Sequence, residues 1–473
     1  MIALPATKGV KIAVLGLGKS GLAATRALKA SGADVRAWDD SERARNAAIA
    51  EGLPIADLNG PALIGAEMLV LSPGIPHSHP KPHPIAARAK AAGLPLVCDI
   101  ELLLQGRNAA HFIGITGTNG KSTTTALIGH ILAQAKLASD IGGNLGPAAL
   151  GLQSLGADGT YVLELSSYQL DLIRTAAFNI AVLLNITPDH LDRHGGMAGY
   201  IAAKRHLFDL LPPHGVAVIG IDDEHCRTIA AELTRLGQLR VVPISAAGKA
   251  SGGIYVVDGK LYDDSTGGNQ LIVDLANATA LPGAHNWQNA AAAFAAARAA
   301  GIAADIIAPA LLSYPGLPHR QETIDVVDGV RFVNDSKATN ADAAAKALVC
   351  YDAVYWIAGG LAKEGGIESL ESLHPRIRHA FLIGKAAEDF ARTLEGKVAY
   401  SICGNLAAAM TRAAALARQE KIPGAAVLLS PACASFDQFV DFEARGDAFR
   451  SLVHGMTQRE GKPRAPNQHG ARP

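Results

Sequence analysis

Short runs of β-branched and aliphatic residues recur along the chain, each followed by a longer Ala- and Leu-rich stretch: KIAVLGLG, MLVLSPG, FIGITG, YVLELSS, IAVLLNIT, VAVIGID, VRFVNDS, VYWIAGG, HAFLIG and AAVLLSPA. Nearly continuous apolar strands alternating with helices predict parallel sheets covered by helices, and so α/β domains. Most of these strands run into Gly, Ser, Asn or Asp. In open α/β sheets ligands bind beyond the carboxyl ends of the strands, so the chemistry is expected there. The long apolar stretch NAAAAFAAARAAGIAADIIAPALL carries Arg298 and Asp305 and predicts two buried helices, not a membrane span. Breaks are expected near 98–111 and, on two prolines flanking a glycine, near 311–322. The polar end TQREGKPRAPNQHGARP reads as a frayed tail.

Composition narrows the picture. A chain of 473 residues implies two or three domains, and 49% apolar residues supply ample core. Lys+Arg and Asp+Glu are equal at 43 each, which argues against a nucleic-acid backbone as partner. Cys98, Cys226, Cys350, Cys403 and Cys433 are dispersed without a C-x-x-C pair, as suits reduced thiols in a cytosolic protein. The start, MIALPATKGVKIAVLGLG, runs into a strand without a signal-peptide pattern. The expectation is a soluble, cytoplasmic protein.

Two Gly-rich turns carry the strongest chemical signals. Gly16, Gly18 and Gly21 form G-x-G-x-x-G after the first strand, and Asp39 ends the next strand, DVRAW, at the spacing of a dinucleotide fingerprint. This selects a diphosphate at a helix N-terminus without deciding between a nicotinamide or flavin cofactor and another diphosphate ligand. Glycines that serve only close strand–helix packing are the bland alternative. Ser72 and Gly74, in LSPGIP, end a neighbouring strand and could line the same crevice.

The second turn lies in FIGITGTNGKSTTTALIGHILAQA. Gly114, Gly117 and Gly120 precede Lys121, Ser122 and Thr123, but Ile115 stands where the usual phosphate loop has its first glycine. Strand, Gly-rich turn, Lys-Ser-Thr and an amphipathic helix still predict a variant loop that holds a nucleotide triphosphate, with Ser122 or Thr123 reaching Mg²⁺. Oxygen ligands are expected from Glu164, at the end of YVLEL, and from Asp189, His190, Asp192 and His194 in NITPDHLDRH. His190 and His194 at i,i+4 also allow zinc, and Asp192 or His194 is expected to cap a helix start. Asn286 and Asn289 share a helix face, one as a cap, and could bond a base or phosphate. Three later strand-end loops, FVNDSKATNAD, IAGGLAKEGG and LLSPACASFDQF, gather Asp335, Ser336, Lys337, Thr339, Lys363 and Ser435, donors suited to a small acidic substrate.

GITGTNGKSTT, ELSSYQL, NITPDHLDRH, GAHNWQN, GLPHR, NDSKATN and LSPACASFDQF follow one another in the order found in the Mur ligases, which the chain resembles over all but its tail. The resemblance implies three α/β domains. Residues 1–98 would form a Rossmann-like domain binding the UDP-linked substrate, 99–316 a P-loop-type ATPase fold with a parallel sheet, and 317–473 a Rossmann-like domain binding the amino acid. It implies an ATP-dependent amide-forming ligase of peptidoglycan precursor synthesis, acting as a cytoplasmic monomer through an acyl phosphate, with two Mg²⁺ ions. NDSKATN with SPACASFDQF points to the branch that adds D-glutamate to UDP-N-acetylmuramoyl-L-alanine.

Carried over by position, Gly117, Thr118, Asn119, Gly120, Lys121, Ser122, Thr123, Asn289, Arg320 and Asp335 would bind ATP, with Arg320 reaching across the domain junction. Ser122, Glu164, His190 and a carbamylated Lys204 would hold metal, and Lys121, His190 and Lys204 would be catalytic. Gly18, Lys19, Ser20, Asp39, Asp40, Ser72, Gly74 and Asn144 would contact the UDP substrate. Lys337, Thr339, Lys363, Ser435 and Phe442 would form the D-glutamate pocket. The competing readings are a superfamily ligase for another amino acid, a nicotinamide-dependent oxidoreductase built on Gly16–Gly21, and an NTP-hydrolysing switch.

Overall fold

A computed structural model describes residues 2–106, 110–362 and 365–459. It contains three sheets. The chain divides into two compact units, Met1–Asn277 with Ala284–Ser313, and Ala278–Gly283 with the residues from Tyr314 on. The first unit holds two sheets and the second holds one.

In the first sheet four parallel strands lie in the order Asp34–Trp38, Lys11–Leu15, Met68–Leu71, Leu96–Val97. The chain leaves Lys11–Leu15 to one side and returns on the other, so the turns after Leu15 and Leu71 flank a topological switch point. The two turns meet there: the Ser72 hydroxyl donates to the Gly16 carbonyl at 3.2 Å.

The larger sheet has seven parallel strands, in the order Ile254–Val257, Arg240–Ser245, Val216–Gly220, Ile180–Leu183, His111–Thr116, Thr160–Glu164, Ser139–Gly143. Lys260–Asp263 and Gln270–Asp274 extend one edge in antiparallel register. The helix Lys121–Gln134 behind the second Gly-rich turn is not the amphipathic helix expected. It is buried through Thr124–Ile128, Ile131 and Leu132, because the Ala-rich helix Ala284–Ala299 packs over the face that would meet solvent. That helix and Ala304–Ser313 are the two expected in the apolar stretch, and the first is buried continuously from Gln288 to Ala297. Its run of small alanine side chains suits close packing against neighbouring backbone.

The stretch read as the first break contains a buried helix, Asp99–Gln105, whose Ile100 and Leu102–Leu104 enter one apolar cluster with residues of both sheets. Its Glu101 carboxylate accepts from the Arg174 and Thr175 backbone N–H groups at 2.8 and 3.0 Å and from the Thr175 hydroxyl at 2.6 Å. The Ile100–Leu104 run signals this burial in the sequence. Around the second expected break, Ala304–Ser313 ends the first unit and Tyr314 belongs to the second.

The second unit's sheet runs Glu322–Val327, Val330–Asn334, Ala426–Leu429, Val354–Gly359, Ile377–Ile383, Tyr400–Gly404, parallel except for the first strand. Its three adjacent central strands end in the three donor-rich loops singled out above. All five cysteines are unpaired. No helix among the described residues is long and apolar enough to cross a membrane.

Candidate active site

Each Gly-rich turn of the first unit leads into a helix whose N-terminus no side chain caps. The helices Lys19–Ala30 and Lys121–Gln134 begin at Gly18 and Gly120, whereas those starting at Glu42, Glu224, Ala341 and Leu406 are capped by Ser41, Asp223, Asn340 and Asn405. A glycine at that position leaves the positive end of the helix open to an anion.

The three glycines of the first turn do different jobs. Gly16 has φ +94°, and a Cβ there would lie 2.6 Å from Ser72. At Gly21 a Cβ would come within 1.7 Å of the Gly16 carbonyl oxygen, so the helix could not pack on its strand. Gly18 has φ −71° and nothing within 4 Å of a Cβ. Neither backbone strain nor packing demands glycine there, which leaves close approach of a ligand. Gly18→Ala should therefore fold normally and bind UDP at least about tenfold more weakly, while Gly21→Ala should lose the fold. Thermal melting beside UDP titration checks both.

Around this turn Lys19 is exposed and Ser20 half-buried. Asp39 accepts from the Leu17 N–H at 2.7 Å and the Ser41 N–H at 2.8 Å, so its carboxylate shapes the turn. Asp40 pairs with His83 at 2.8 Å, and that hydrogen bond holds its carboxyl below the usual range. Arg45 donates to the Asp39 and Asp40 carbonyls and lies over the Trp38 ring. Gly74 is exposed, and its carbonyl accepts from Arg193 at 2.9 Å.

In the second turn Gly114 proves to be a strand residue packed under Phe178 and Leu207, so the even spacing of three glycines is not one loop motif. The loop glycines are Gly117, at φ +152°, and Gly120, at φ +87°, where a Cβ would sit 2.2 Å from Asn289 Oδ1. The Lys121 ammonium donates to the Gly117 and Thr118 carbonyls, both at 2.8 Å. Ser122 is buried and Thr123 half-buried at the first turn of the helix. Asn289 and Asn286 both lie inside their helix, hydrogen-bonded to each other at 3.2 Å.

Sequence reasoning missed the residues that brace this loop. Asn185, just past the neighbouring strand, accepts from the Asn119 N–H at 2.9 Å and donates to the Asn119 carbonyl at 3.2 Å. Its carbonyl takes the Thr118 N–H at 2.8 Å. Gln288 continues the chain, donating to Asp222 at 2.8 Å. The signal was available: NIT and GID both follow apolar strands, as the loop itself does.

Glu164 closes the strand beside the loop. Its Oε1 accepts from Asn144 Nδ2 at 2.7 Å, while Oε2 is buried without a hydrogen-bond partner. A buried carboxylate oxygen left over beside a phosphate loop fits a hard divalent cation such as Mg²⁺, which takes few protein ligands. Lys204, 1% exposed, donates to the Gly117 carbonyl at 2.8 Å and to Thr116 Oγ1 at 3.5 Å, with Nζ 4.6 Å over the Tyr200 ring. Burial, then repulsion from Lys121, pushes its amine well below the usual lysine range.

The two candidate zinc histidines have different surroundings. His190 is exposed, with φ +51°, and lies 3.4 Å from Asp189. His194 is buried against Ser167 at 2.9 Å and Asp171 at 3.4 Å, and burial lowers it to about 4, so it is neutral at pH 7. Neither it nor Asp192 caps its short helix, which has no side-chain cap; the His194 ring is drawn into the core between Tyr168 and Tyr200 instead. No group of three or more His, Cys, Asp or Glu set to hold a metal occurs among the described residues.

In the second unit, Lys337 Nζ lies 3.7 Å over the Phe442 ring, Ser435 is buried, and Thr339 is half-buried on the same loop as Lys337. Lys363 lies outside the described residues. Asp335 is buried, accepting from Ser430 Oγ at 2.8 Å and the Gln321 N–H at 3.1 Å, and burial raises it to about 7. Arg320 is half-buried nearby in the chain. Arg445, which the sequence reading passed over, ties these loops together. Its Nε donates to Ser336 Oγ at 2.9 Å, and its Nη2 donates to the carbonyls of Ser336 at 2.9 Å and Cys433 at 3.0 Å.

Comparison with known proteins matches residues 115–297 to the Mur ligase middle domain and 10–98 to the Mur ligase MurD-like N-terminal domain. The chain is 57% identical, over 97% of its length and 99% of the relative's, to the UDP-N-acetylmuramoylalanine–D-glutamate ligase of Paramagnetospirillum magneticum. It is also 57% identical to the enzyme so named from Rhodospirillum rubrum, over 94% of each chain. Among solved structures, UDP-N-acetylmuramate-alanine ligase from Thermotoga maritima aligns with a TM-score of 0.57 at 16% identity, covering 94% of this chain and 99% of that one. The MurF ligase of the same organism, in complex with ADP, aligns with a TM-score of 0.57 at 17% identity over 97% and 98%.

Proposed function

The chain belongs to the Mur ligase family, and from that membership we propose that it is the ATP-dependent ligase that joins D-glutamate to UDP-N-acetylmuramoyl-L-alanine in peptidoglycan precursor synthesis. The observation that carries this reading is 57% identity over 97% of the chain to a relative bearing that name. The uncapped helix behind Gly120 and the lysine over its loop support the use of ATP.

A carboxylate oxygen of the nucleotide-linked substrate attacks the γ-phosphorus of ATP, the bond to the bridging oxygen breaks, and ADP leaves. The D-glutamate amine then adds to the acyl-phosphate carbon, loses a proton, and the tetrahedral intermediate expels inorganic phosphate. The loop amides of 117–123 and the first helical turn hold the phosphates in line, and Lys121 balances charge on the departing oxygen. Asn289 packs over Gly120 and braces the loop from the helix above it. The helix N-terminus behind Gly18, with Lys19, Ser20, Ser72 and Gly74, holds the UDP diphosphate, and Asp39 acts by fixing the turn's own amides. Asn144 lies beside Glu164, where the nucleotide substrate's reacting end is to be held. Two Mg²⁺ ions, held by Ser122, Glu164, His190 and a carbamylated Lys204, would neutralise phosphate charge. Lys337, Thr339, Lys363, Ser435 and Phe442 receive D-glutamate; Arg320 and Asp335 enter as ATP contacts on the resemblance. ATP and a nucleotide-linked substrate put the reaction in the cytoplasm.

The test is phosphate release with ATP, Mg²⁺ and UDP-N-acetylmuramoyl-L-alanine, with D-glutamate, L-glutamate, L-alanine or diaminopimelate added separately. Turnover is expected with D-glutamate alone. Turnover with a different amino acid would keep the ligase and overturn the acceptor. Hydrolysis indifferent to amino acids would favour the switch, and no turnover would return attention to the Gly16–Gly21 turn as a cofactor site.

A further inference from the structure

The guanidinium of Arg445 is 1% exposed, in the first turn of the helix Phe442–Arg459. Its hydrogen bonds go to the Ser336 hydroxyl and to the carbonyls of Ser336 and Cys433, none of them a carboxylate. Its Nη1 is buried with no hydrogen-bond partner and faces Gly360, where a Cβ would lie 3.2 Å away. Gly360 has φ +133°, and the next residue, Leu361, exchanges backbone hydrogen bonds with Ala434 at 2.9 and 3.0 Å. One side chain thus meets the loops that follow three adjacent strands, Val330–Asn334, Ala426–Leu429 and Val354–Gly359. Ser336 in turn donates to the Phe442 carbonyl at 2.8 Å.

Lacing three loops needs hydrogen-bond donors, not a charge. A buried cation whose hydrogen bonds all go to neutral groups costs folding energy that a neutral donor would not. The Asp437 carboxylate, on the same loop as Ser435, attracts it without a hydrogen bond, so a counter-charge bonded to it is still to be supplied. Burial lowers this guanidinium to about 10, which leaves it cationic at neutral pH. The loops it joins carry Lys337 and Ser435, already assigned to an acidic amino acid.

We infer that Arg445 is a positioning and specificity residue for the acceptor: it fixes the loops bearing Lys337 and Ser435 and supplies a buried positive charge that is answered by a carboxylate of the incoming dicarboxylic amino acid. The inference rests on the D-glutamate reading above. It predicts an effect on the acceptor that the other substrates do not share.

The experiment compares wild type, Arg445→Gln and Arg445→Lys with the full substrate set, measuring KM separately for D-glutamate, ATP and the nucleotide substrate. Arg445→Gln should raise KM for D-glutamate at least about tenfold and leave KM for ATP within about twofold, and Arg445→Lys should recover part of the loss. An unchanged KM for D-glutamate, or equal rises for all three substrates, would overturn the inference by reducing Arg445 to a structural tie. Should both variants fail to fold, wild-type melting decides. With the nucleotide substrate and a non-hydrolysable ATP analogue present, D-glutamate should raise Tm more than the neutral isostere D-glutamine, and equal shifts would overturn it. Wild type that ignores D-glutamate sinks the acceptor reading and this inference with it. Wild type that uses D-glutamate while Arg445→Gln keeps its KM sinks this inference alone.

Discussion

Lys121→Met should lower phosphate release by at least about a thousandfold, a loss of roughly 4 kcal/mol of transition-state stabilisation, while Tm moves by only a few degrees. Two of the ammonium's hydrogen bonds go to carbonyls of its own loop, Gly117 and Thr118, local contacts whose loss is expected to cost the fold little. On phosphate transfer, however, negative charge shifts onto the oxygen bridging to ADP, and Lys121 is the cation that the loop itself carries. Gly120→Ala should be as inactive for a different reason: its Cβ would enter Asn289 Oδ1, and φ +87° disfavours any side chain, so the loop must change shape. Phosphate release and thermal melting of both variants check this. Lys121→Met retaining more than a tenth of wild-type turnover would remove Lys121 from the chemistry.

What could be read from the chain follows how thoroughly each strand is buried. Central parallel strands such as Thr160–Glu164, Ile180–Leu183 and Val354–Gly359 are buried at every position and appear in sequence as unbroken apolar runs. Edge strands do not. Ser139–Gly143, Gln270–Asp274 and Tyr400–Gly404 each lie at the margin of a sheet and are only partly buried, and their mixed sequences, SDIGG, QLIVD and YSICG, gave no strand signal. The candidate site divides similarly. Its glycine turns and Glu164 were legible because backbone geometry and strand-end position constrain residue type. Gln288 and Arg445 were not, since their roles arise from partners far away in sequence: Gln288 meets Asp222, and Arg445 meets Ser336. A motif marks what touches the ligand. The polar groups that hold the motif in place carry no comparable local pattern.

Lys204 is the sharpest instance, and it supports the second large prediction. From sequence it is one more lysine on a surface helix; folded, it is 1% exposed and pairs with no carboxylate, only with a carbonyl, a hydroxyl and the Tyr200 ring. A buried lysine without an anionic partner is poorly placed as a cation and well placed as a free amine. A free amine adds to carbon dioxide: the N–C bond forms, one proton passes to water, and a carbamate anion takes the place of the neutral amine. Beside the unpartnered Oε2 of Glu164's strand-end carboxylate, that change turns a basic pocket floor into an oxygen-rich one. Lys204→Met, isosteric along most of the chain but unable to form a carbamate, should lose at least about a thousandfold in turnover and melt no lower than wild type, since it removes a buried polar group. Wild type equilibrated with ¹³C-bicarbonate should show a carbamate carbon resonance that Lys204→Met lacks. Turnover within tenfold of wild type in Lys204→Met would remove the residue from the site. Loss of turnover with no carbamate signal in active wild type would keep the lysine and discard its modification, leaving the amine itself facing the Gly117 carbonyl as the group that matters.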